Sequence, residues 1–306
     1  MTPPRPRGTG GAEGVVVFGA TGRQGSAVSQ ALLGRGWRVR GLTRDAGSDE
    51  AQALARRGLE LLPAPADAAS LEAAMRGAHG VFLMQPSGIA PEQELRALRA
   101  AADAAASARV AHLVYSSSAG AARAGSGVAN YEVKWRAGRY LAEAGLAHTL
   151  LRPVTFMENY LLRRERIEAG VLEGPFEPGM RQQLVAVRDI GAVVAELFAR
   201  PEEGRGRAID LAGDDLALAD VADVFTRALG RPVRYARRRD DTIGDRDPGQ
   251  MRALLSWRER EGHRVDVAAL RARLEGWGVA LTTLDEWIRI SWPRPERTRG
   301  EGDAGG

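Results

Sequence analysis

A glycine-rich stretch lies directly after the first apolar run of the chain, and a helix-forming sequence follows it. The apolar run is VVVFG at 15–19, and the glycine-rich stretch is GATGRQG at 19–25. Glycines in this pattern suit a tight turn, a close backbone approach to a pyrophosphate and close packing of helix on strand. The free N–H groups at the start of the helix would face the phosphates. Strand, turn and helix therefore stand in the order that a dinucleotide-binding site requires.

Apolar runs typical of strands alternate with helical patterns through the first half of the chain. The strand-like runs lie at 15–19, 37–43, 59–62, 80–84, 109–117 and 147–153. This alternation predicts an α/β fold, with a doubly wound parallel sheet of Rossmann type covered by helices on both faces. A further run at 207–213 predicts another strand of the sheet, and 184–199 predicts a short strand followed by a helix with Asp189 as its N-cap.

The pattern divides the chain into a main domain and a smaller lobe. We expect the Rossmann domain over 14–155 with about 182–214 added to it. Residues 156–181 and 215–291 mix helices with one strand at 233–237, and they predict a C-terminal substrate-binding lobe over the carboxyl ends of the strands. The segments 1–13 and 292–306 are rich in proline, glycine and charge, so we expect both to be disordered.

Charge narrows the range of partners. The chain has 43 lysines and arginines against 39 acidic residues. The run Arg237-Arg238-Arg239 offers local support for nucleic-acid binding, but arginine is spread along the whole chain beside acidic residues. We therefore expect no nucleic-acid partner, and a modest positive field would equally suit an anionic cofactor.

Other features of the sequence argue against disulfides, metal sites and membrane spans. The chain has no cysteine, which excludes disulfides and thiolate metal sites, and its four histidines lack metal-ligand spacing, so we expect no metal. No stretch approaches the roughly 18 apolar residues that a membrane span needs, and no targeting segment is visible. We expect a cytoplasmic protein that acts on a small molecule as a monomer or homodimer.

The end of the second strand indicates which dinucleotide binds. An NAD site would place a carboxylate there for the ribose 2′-hydroxyl, whereas this chain has Thr43 and Arg44. A charge-assisted contact to the 2′-phosphate stabilises binding by roughly 1.5–3 kcal/mol, which favours NADP(H). Arg23 could supply a second such contact. Asp45 follows directly and could instead pair with Arg44 as an ordinary surface contact.

Other cofactor contacts are expected at the ends of the third and fourth strands. Asp67 either accepts from the adenine amine or caps the next helix, and both readings stay open. Met84, Gln85 and Pro86 are expected to line the ribose and nicotinamide pocket. The expected cofactor residues are Gly19, Thr21, Gly22, Arg23, Gln24, Gly25, Thr43, Arg44, Asp67, Met84, Gln85, Pro86 and Lys134.

The ordered set of motifs resembles the NmrA-like branch of the atypical short-chain dehydrogenase/reductase superfamily. These motifs are GATGRQG, LTRD, VFLMQP, LVYSSS, a helix with a single lysine, LLRPVTFMENY and VRDIG. The resemblance runs from about residue 15 to 235. It implies an NADP-preferring Rossmann domain with a small substrate lobe. Members of this family include NADPH-dependent quinone reductases, reductases of plant phenolics, and regulators that bind NADPH with little or no turnover.

Lys134 is the only lysine in a chain that otherwise uses arginine for positive charge. A compact ammonium with three donors offers what a guanidinium cannot. The resemblance implies that Lys134 binds the nicotinamide ribose hydroxyls and acts as a proton donor or relay. A typical superfamily member has tyrosine four residues before this lysine, but here that position is Asn130. Tyr131 is displaced by about 100° around the helix, so it is either a general acid that still faces the cleft or a half-buried aromatic.

The remaining candidates lie after the fifth and sixth strands. Within the triplet 116–118, Ser117 and Ser118 could hydrogen-bond a substrate carbonyl as its oxygen gains charge, or could satisfy backbone groups of a turn. An apolar and aromatic set after the sixth strand is expected to form the substrate wall and suits a planar or hydrophobic substrate, although such a stripe also forms plain core. Its members are Phe156, Met157, Asn159 and Tyr160.

Three functions fit these residues. The first is an NADPH-dependent oxidoreductase that transfers hydride to a quinone, enone or related carbonyl. The second is an NADPH-sensing regulatory protein, which the missing tyrosine at Asn130 supports. The third is a redox-neutral isomerase or cyclase with a retained cofactor.

Overall fold

The computed structural model describes residues 14–86, 88–238 and 248–292. The predicted tail at 1–13, nearly all of the one at 292–306 and Arg239 of the arginine run lie outside these described residues. None of the described helices combines the length and apolar character needed to cross a bilayer.

A seven-stranded parallel sheet forms the centre of the molecule and confirms the predicted doubly wound α/β fold. Its strands are β1 (Gly14–Phe18), β2 (Arg38–Thr43), β3 (Glu60–Pro63), β4 (Ala78–Leu83), β5 (His112–Ser116), β6 (His148–Pro153) and β10 (Arg207–Leu211). Their order in the sheet is β10-β6-β5-β4-β1-β2-β3. The expected strand at 207–213 joins the sheet as the edge strand β10.

Helices cover both faces of this sheet because successive side chains of each strand point to opposite sides. The helices are α1 (Arg23–Gly34), α2 (Asp49–Arg56), α3 (Ala68–Met75), α4 (Pro91–Ser107), α5 (Ala129–Glu143), α6 (Arg164–Glu168), α7 (Val187–Ala199), α8 (Pro201–Gly204), α9 (Leu218–Leu229), α10 (Pro248–Arg260), α11 (Val267–Glu275) and α12 (Leu284–Ser291). Val15 and Val17 belong to one buried cluster together with α1 and α7, whereas Val16 belongs to a second cluster together with α3, α4 and α5.

The chain reverses its direction across the sheet between β3 and β4. β1 therefore has β2 on one side and β4 on the other, and the connections leave the carboxyl ends of β1 and β4 in opposite directions. Such a switch point is where open α/β sheets bind ligands. The residues that follow β1 and β4 are the glycine-rich turn and Met84.

Two small sheets and a third buried cluster lie beyond the main sheet. One small sheet has the order β11-β9-β7, with β7 (Thr155–Phe156), β9 (Arg181–Val185) and β11 (Asp214–Ala217). The other pairs β8 (Val171–Gly174) with β12 (Arg234–Arg237), close to the strand expected at 233–237. The third cluster joins α6, α9 and α12. This part of the chain contains most of the segments expected to form the lobe.

Three boundary predictions differ from the structure. Asp189 is not the N-cap of α7, since that position is Ala186. Asp189 is instead buried in the first turn and accepts hydrogen bonds from the backbone N–H and hydroxyl of Thr282, at 2.8 and 2.7 Å. Trp292, expected to begin the disordered tail, is buried in the third cluster and donates to Glu168. Finally, the segment around Leu274 and Trp277, assigned to the lobe, packs in the cluster of the main sheet that contains α1 and α7.

Candidate functional site

The glycine-rich turn connects β1 directly to the N-terminus of α1. Gly19 has φ +60°, a backbone conformation that residues with a side chain rarely adopt. A Cβ added at Gly19 would lie 2.7 Å from the Met84 sulfur. The N–H of Gly22 donates to the carbonyl of Gly19 at 2.8 Å. The turn thus places bare backbone beside the end of β4, where the Met84 side chain packs directly on Gly19.

The first turn of α1 offers N–H donors that no side chain satisfies. Its N-cap is Gly22, which makes no side-chain cap, and the turn contains no acidic residue. Gly25 packs this turn against the strand so closely that an added Cβ would overlap the Gly19 carbonyl. A helix N-terminus with free N–H groups and a positive dipole end favours an anion such as phosphate.

Two threonines connect the ends of β1 and β2. The hydroxyls of Thr21 and Thr43 lie 3.2 Å apart, and Thr43 also accepts from the Asp45 N–H. The Asp45 carboxylate accepts from the Gly47 N–H at 2.9 Å. Arg44 is exposed and, within the described ranges, has no carboxylate in ion-pair distance, so the open alternative of an Arg44–Asp45 pair is not realised.

Two side chains of the turn reach across to other elements. Arg23 donates to the Asn159 side-chain oxygen at 3.3 Å, which connects the turn to the expected substrate wall. Gln24 accepts from the Ser116 hydroxyl at 2.7 Å. Ser116 ends β5, so this contact fixes the glycine-rich turn relative to the serine triplet. Neither of these two contacts was expected from the sequence.

Asp67 caps α3. One oxygen of its carboxylate accepts from both the N–H and the hydroxyl of Ser70, at 2.8 and 2.7 Å, in a reciprocal capping box. These hydrogen bonds lower the pKa of Asp67, the side-chain bond to Ser70 being the largest cause. The structure therefore realises the capping alternative for Asp67.

Met84, Gln85 and Pro86 follow β4 at the switch point. Met84 is partly exposed and packs against the first buried cluster beside Gly19. Gln85 is half-buried, and Pro86 is exposed. All three lie where the expected ribose and nicotinamide pocket would be, on the side of β1 opposite to Thr43.

Lys134 forms a buried ion pair with Glu94. The ammonium lies 2.7 Å from the Glu94 carboxylate, and the two side chains are only 13% and 7% exposed. Lys134 also lies 5.8 Å from the centroid of the Tyr115 ring. Burial raises the pKa of Tyr115, and the neighbouring Glu94 carboxylate adds to this effect. An ammonium has three N–H donors, so one bond to Glu94 leaves two for a ligand.

Tyr131 is a buried aromatic of the first turn of α5. It is 8% exposed and packs edge-on against Trp257 of α10, with ring centroids 4.8 Å apart. It also fills the space beside Gly120, where an added Cβ would overlap its ring. This packing matches the alternative in which Tyr131 is a packed aromatic and not a general acid. It also shows that α10 packs over the start of α5.

Ser117 and Ser118 lie at the carboxyl end of β5. Ser117 is buried, and its N–H donates to the Leu151 carbonyl at 2.8 Å. Ser118 is half-buried and begins the 3₁₀ helix Ala119–Ala121, with its carbonyl accepting from Ala121. Of the two, Ser118 is the more accessible to a substrate in the cleft.

The four residues of the expected substrate wall differ in exposure. Phe156 is half-buried, and Asn159 is exposed. Met157 is fully buried in the third cluster, so its place in the wall is corrected to the core. Tyr160 is also buried there, and its ring lies 5.3 Å from Phe225, although its hydroxyl has no hydrogen-bond partner among the described residues.

Glu94 and Arg258 are further polar residues of this edge that sequence reasoning missed. Glu94 follows the proline that begins α4, but nothing in its local sequence indicates a partner 40 positions later. Arg258 belongs to α10 and donates to the Thr155 hydroxyl at 3.3 Å. Within the described ranges, no group of three or more histidines and carboxylates is arranged to hold a metal ion.

Comparison with known proteins gives relatives with different activities. The chain is 32% identical over 169 residues to an NAD(P)H azoreductase from Xenophilus azovorans, covering 52% of this chain and 54% of that protein. It is 30% identical over 185 residues to the nitrogen metabolite repression protein nmr of Neurospora crassa, covering 56% of this chain and 35% of that protein. The chain thus spans about half the length, or less, of these curated relatives.

A solved structure and a family model cover much more of the chain. The NADPH-dependent quinone oxidoreductase QOR2 of Escherichia coli, complexed with NADPH, superposes with a TM-score of 0.76 at 25% identity, covering 91% of this chain and 100% of that one. The model of the NmrA-like family matches residues 12–288. The resemblance found in the sequence is thereby confirmed, and the chain belongs to the NmrA-like family.

Proposed function

We propose that this protein is an NADPH-dependent oxidoreductase that transfers hydride to a quinone, enone or related carbonyl. The observation that carries the proposal is the uncapped N-terminus of α1, reached through a glycine turn at the switch point of the sheet. The bare backbone of the glycine turn and the N–H groups of the first helical turn, which no side chain caps, fit a pyrophosphate. The names of two relatives, an NAD(P)H azoreductase and an NADPH-dependent quinone oxidoreductase, support a reductase.

The preference for NADPH over NADH is proposed from Arg44. Its guanidinium is exposed at the end of β2 and has no carboxylate partner in the described part of the chain. The Asp45 carboxylate, which would disfavour a 2′-phosphate, is held by the Gly47 N–H. Arg44 is therefore free to bind a phosphate by charge-assisted hydrogen bonds. Arg23 would first have to leave Asn159 to contribute.

The remaining cofactor contacts follow from the placement of side chains around the turn. The Thr21 and Thr43 hydroxyls lie on the β2 side of β1 and are proposed to contact the adenosine half, whereas Met84, Gln85 and Pro86 lie on the β4 side and are proposed to contact the nicotinamide half. Lys134 keeps two donors for ribose hydroxyls while Glu94 holds its third. Glu94 is thus proposed as a positioning residue, because it orients the ammonium without reaching the cofactor.

The chemistry proposed for the chain's own residues is the stabilisation of negative charge and the delivery of a proton. The reduced nicotinamide, when bound, supplies the hydride. As the substrate carbonyl gains charge, the Ser118 hydroxyl is placed to donate to its oxygen, with Ser117 as the deeper neighbour. Lys134 is the proposed source or relay of the proton. Tyr131 has a packing role, since Trp257 and Gly120 hold its ring.

NADPH oxidation with menadione as acceptor tests this proposal. The wild-type protein should oxidise NADPH only when menadione is present. Lys134→Arg keeps the charge but replaces the compact ammonium, so we expect the turnover number to fall by about tenfold or more, within the range of general acid–base catalysis. Arg139→Lys, an exposed change on the same helix, should leave turnover unchanged. Equal turnover in wild type and Lys134→Arg would remove this lysine from the mechanism.

A second candidate is an NADPH-sensing regulator. It is favoured by Asn130, where a typical reductase of the superfamily has its tyrosine, and by the similarity to a repression protein of Neurospora crassa. The regulator would bind NADPH at the same glycine turn and would oxidise it with none of the quinone, enone or azo acceptors in a panel. Any acceptor-dependent oxidation well above the rate without protein would exclude this candidate.

A further inference from the structure

Arg258 is a half-buried cation whose contacts are all to neutral groups. One nitrogen of its guanidinium, Nη1, donates to the Thr155 hydroxyl at 3.3 Å and lies 3.0 Å from Nδ1 of His263. Its guanidinium carbon lies 5.8 Å from the centroid of the Phe176 ring. Within the described ranges no carboxylate approaches Arg258 to ion-pair distance, and its Nε and Nη2 have no hydrogen-bond acceptor.

Some other arginines that lie partly inside the fold are neutralised by a carboxylate, and Arg163 and Arg271 instead donate to backbone carbonyls. Arg152 makes two bonds to the Asp210 carboxylate, at 2.7 and 2.8 Å, and Arg35 pairs with Glu196 at 2.6 Å. Burial lowers the pKa of Arg258, but a guanidinium remains protonated in any protein. A desolvated charge without a counterion is unfavourable, and buried charges in proteins are normally paired. The position of Arg258 therefore calls for an anion that comes from outside the described chain.

The side chains next to Arg258 can donate hydrogen bonds but carry no negative charge that would neutralise the guanidinium. His263 is neutral, because burial and then the Arg258 charge lower its pKa to about 3. Its Nδ1 faces a donor, which assigns the hydrogen to Nε2, and this atom is buried without a partner. The Tyr160 hydroxyl is likewise buried and unpartnered, and it lies close enough for the Arg258 charge to act on its pKa. Unsatisfied donors thus accompany the unpaired cation.

Arg258 also lies at the edge of the sheet where the proposed chemistry takes place. Thr155 follows β6, and β6 pairs with β5 so that Leu151 lies beside Ser116 of the serine triplet. Trp257, next to Arg258 in the chain, packs on Tyr131, one helical turn before Lys134. The guanidinium therefore lies at the same edge of the sheet as Ser118 and Lys134, on the side of α10.

We propose that Arg258 binds a carboxylate substituent of the substrate, so that the protein acts on acidic aromatic acceptors. This substrate class rests on the proposed reductase function. Arg258 would bind the carboxylate through the free edge of its guanidinium, Tyr160 would donate to the same group, and the Phe176 ring would flank it. The ring of the substrate would then extend toward Ser118.

Calorimetric titration with 2-naphthoate and 2-naphthamide tests the proposal, because the two probes share one ring system and differ in charge. The full chain should bind 2-naphthoate at least about tenfold more tightly, the range expected of charge-assisted hydrogen bonds. Arg258→Met should lose this preference, whereas Arg258→Lys, which keeps the charge without the planar fork, should retain part of it. The matched control is Arg260→Met, an exposed arginine of the same helix, which should bind as wild type.

Stability provides a second readout. Arg258→Met removes a half-buried charge that has no carboxylate partner among the described residues, so its melting temperature without ligand should equal or exceed that of wild type. Added 2-naphthoate should raise the melting temperature of wild type and not that of Arg258→Met. Tyr160→Phe should weaken 2-naphthoate binding several-fold without loss of stability, because the hydroxyl it removes has no partner.

Two results would overturn the anion site: equal affinity of wild type for the two probes, or a preference for 2-naphthoate that survives in Arg258→Met. The titrations need no cofactor, so they are independent of the reductase activity. Binding of 2-naphthoate together with a failure to oxidise NADPH would reject the reductase and keep the anion site. Oxidation of NADPH by menadione, together with equal binding of the two probes, would reject the anion site and keep the reductase.

Discussion

At the scale of single residues, the sequence predicted the contact of a side chain only where the contact partner lies nearby in the chain. Asp67 and Ser70 are three residues apart and form a capping box, so a local pattern indicated this contact. Lys134 was found as the only lysine, but its partner Glu94 lies on another helix, and Arg258 contacts Thr155 across 103 positions. Asp189 was misassigned because its acceptor role toward Thr282, 93 positions away, leaves no local pattern. Contacts of this kind require the tertiary structure.

The Lys134–Glu94 pair makes a prediction about stability. Glu94→Gln leaves a buried ammonium without its counterion, which destabilises a protein by roughly 3–5 kcal/mol. We expect the free energy of unfolding in urea to fall by about that amount. The matched control is Glu92→Gln on the same helix, where the partner Arg136 is 45% exposed and the carboxylate 61% exposed. This variant should be nearly as stable as wild type. Equal stability of the two variants would show that the Lys134–Glu94 pair is solvated.

At the scale of elements, the sequence predicted the sheet closely because its information is local. Each expected strand of the main sheet overlaps an observed one, since apolar runs bounded by glycine and charged residues indicate buried strands. The glycine turn was recognised because strand, turn and helix follow directly along the chain. Packing between distant elements was harder, and the segment around Trp277 was assigned to the lobe although it packs beside α1 and α7.

The junction of β1 and α1 makes a prediction about two glycines of one helix. Gly25→Ala should destabilise the protein by about 1–3 kcal/mol, because its Cβ would overlap the Gly19 carbonyl. Gly34→Ala, at the other end of α1, meets nothing within 4 Å and should stabilise by about 0.5–1 kcal/mol. Thermal unfolding of both variants measures the difference. A fully stable Gly25→Ala protein would show that helix and strand are less closely packed than described.

At the scale of the whole molecule, one sheet organises both the core and the candidate site. The switch point between β1 and β4 places the glycine turn beside Met84, and the serine triplet ends the adjacent strand β5. The small sheets and α10 then pack over the same edge, and α10 brings Arg258 there and holds the Tyr131 ring. At the opposite, amino-terminal edge of the sheet, His112 is fully buried and contacts Thr149 at 2.8 Å.

Because His112 is buried with a lowered pKa, we expect the protein to lose global stability in acid. Burial, followed by the charge of Arg205, lowers the pKa of His112 from 6.5 to about 4. The unfolded chain binds a proton at this residue below pH 6.5, whereas the folded chain does so only below about 4. Stability should therefore fall as the pH drops through this window, by about 3 kcal/mol. Urea unfolding between pH 7 and pH 4 measures the effect.

His112→Asn provides the control for this acid sensitivity, because an amide can replace the hydrogen bond without titrating. The variant should show a smaller decrease in stability than wild type over the same pH window. A decrease of equal size in the two proteins would mean that other groups, His263 among them, dominate acid unfolding.

The central claim is that the backbone of the glycine turn and the first turn of α1 binds the pyrophosphate of a nicotinamide dinucleotide, with Arg44 selecting the phosphorylated form. Calorimetric titration of the full chain with NADPH and with NADH tests it most directly. We predict saturable binding of both, with NADPH bound about tenfold more tightly or better, as one charge-assisted contact provides. Tighter binding of NADH would contradict the role of Arg44, and absence of binding by either dinucleotide would contradict the claim as a whole.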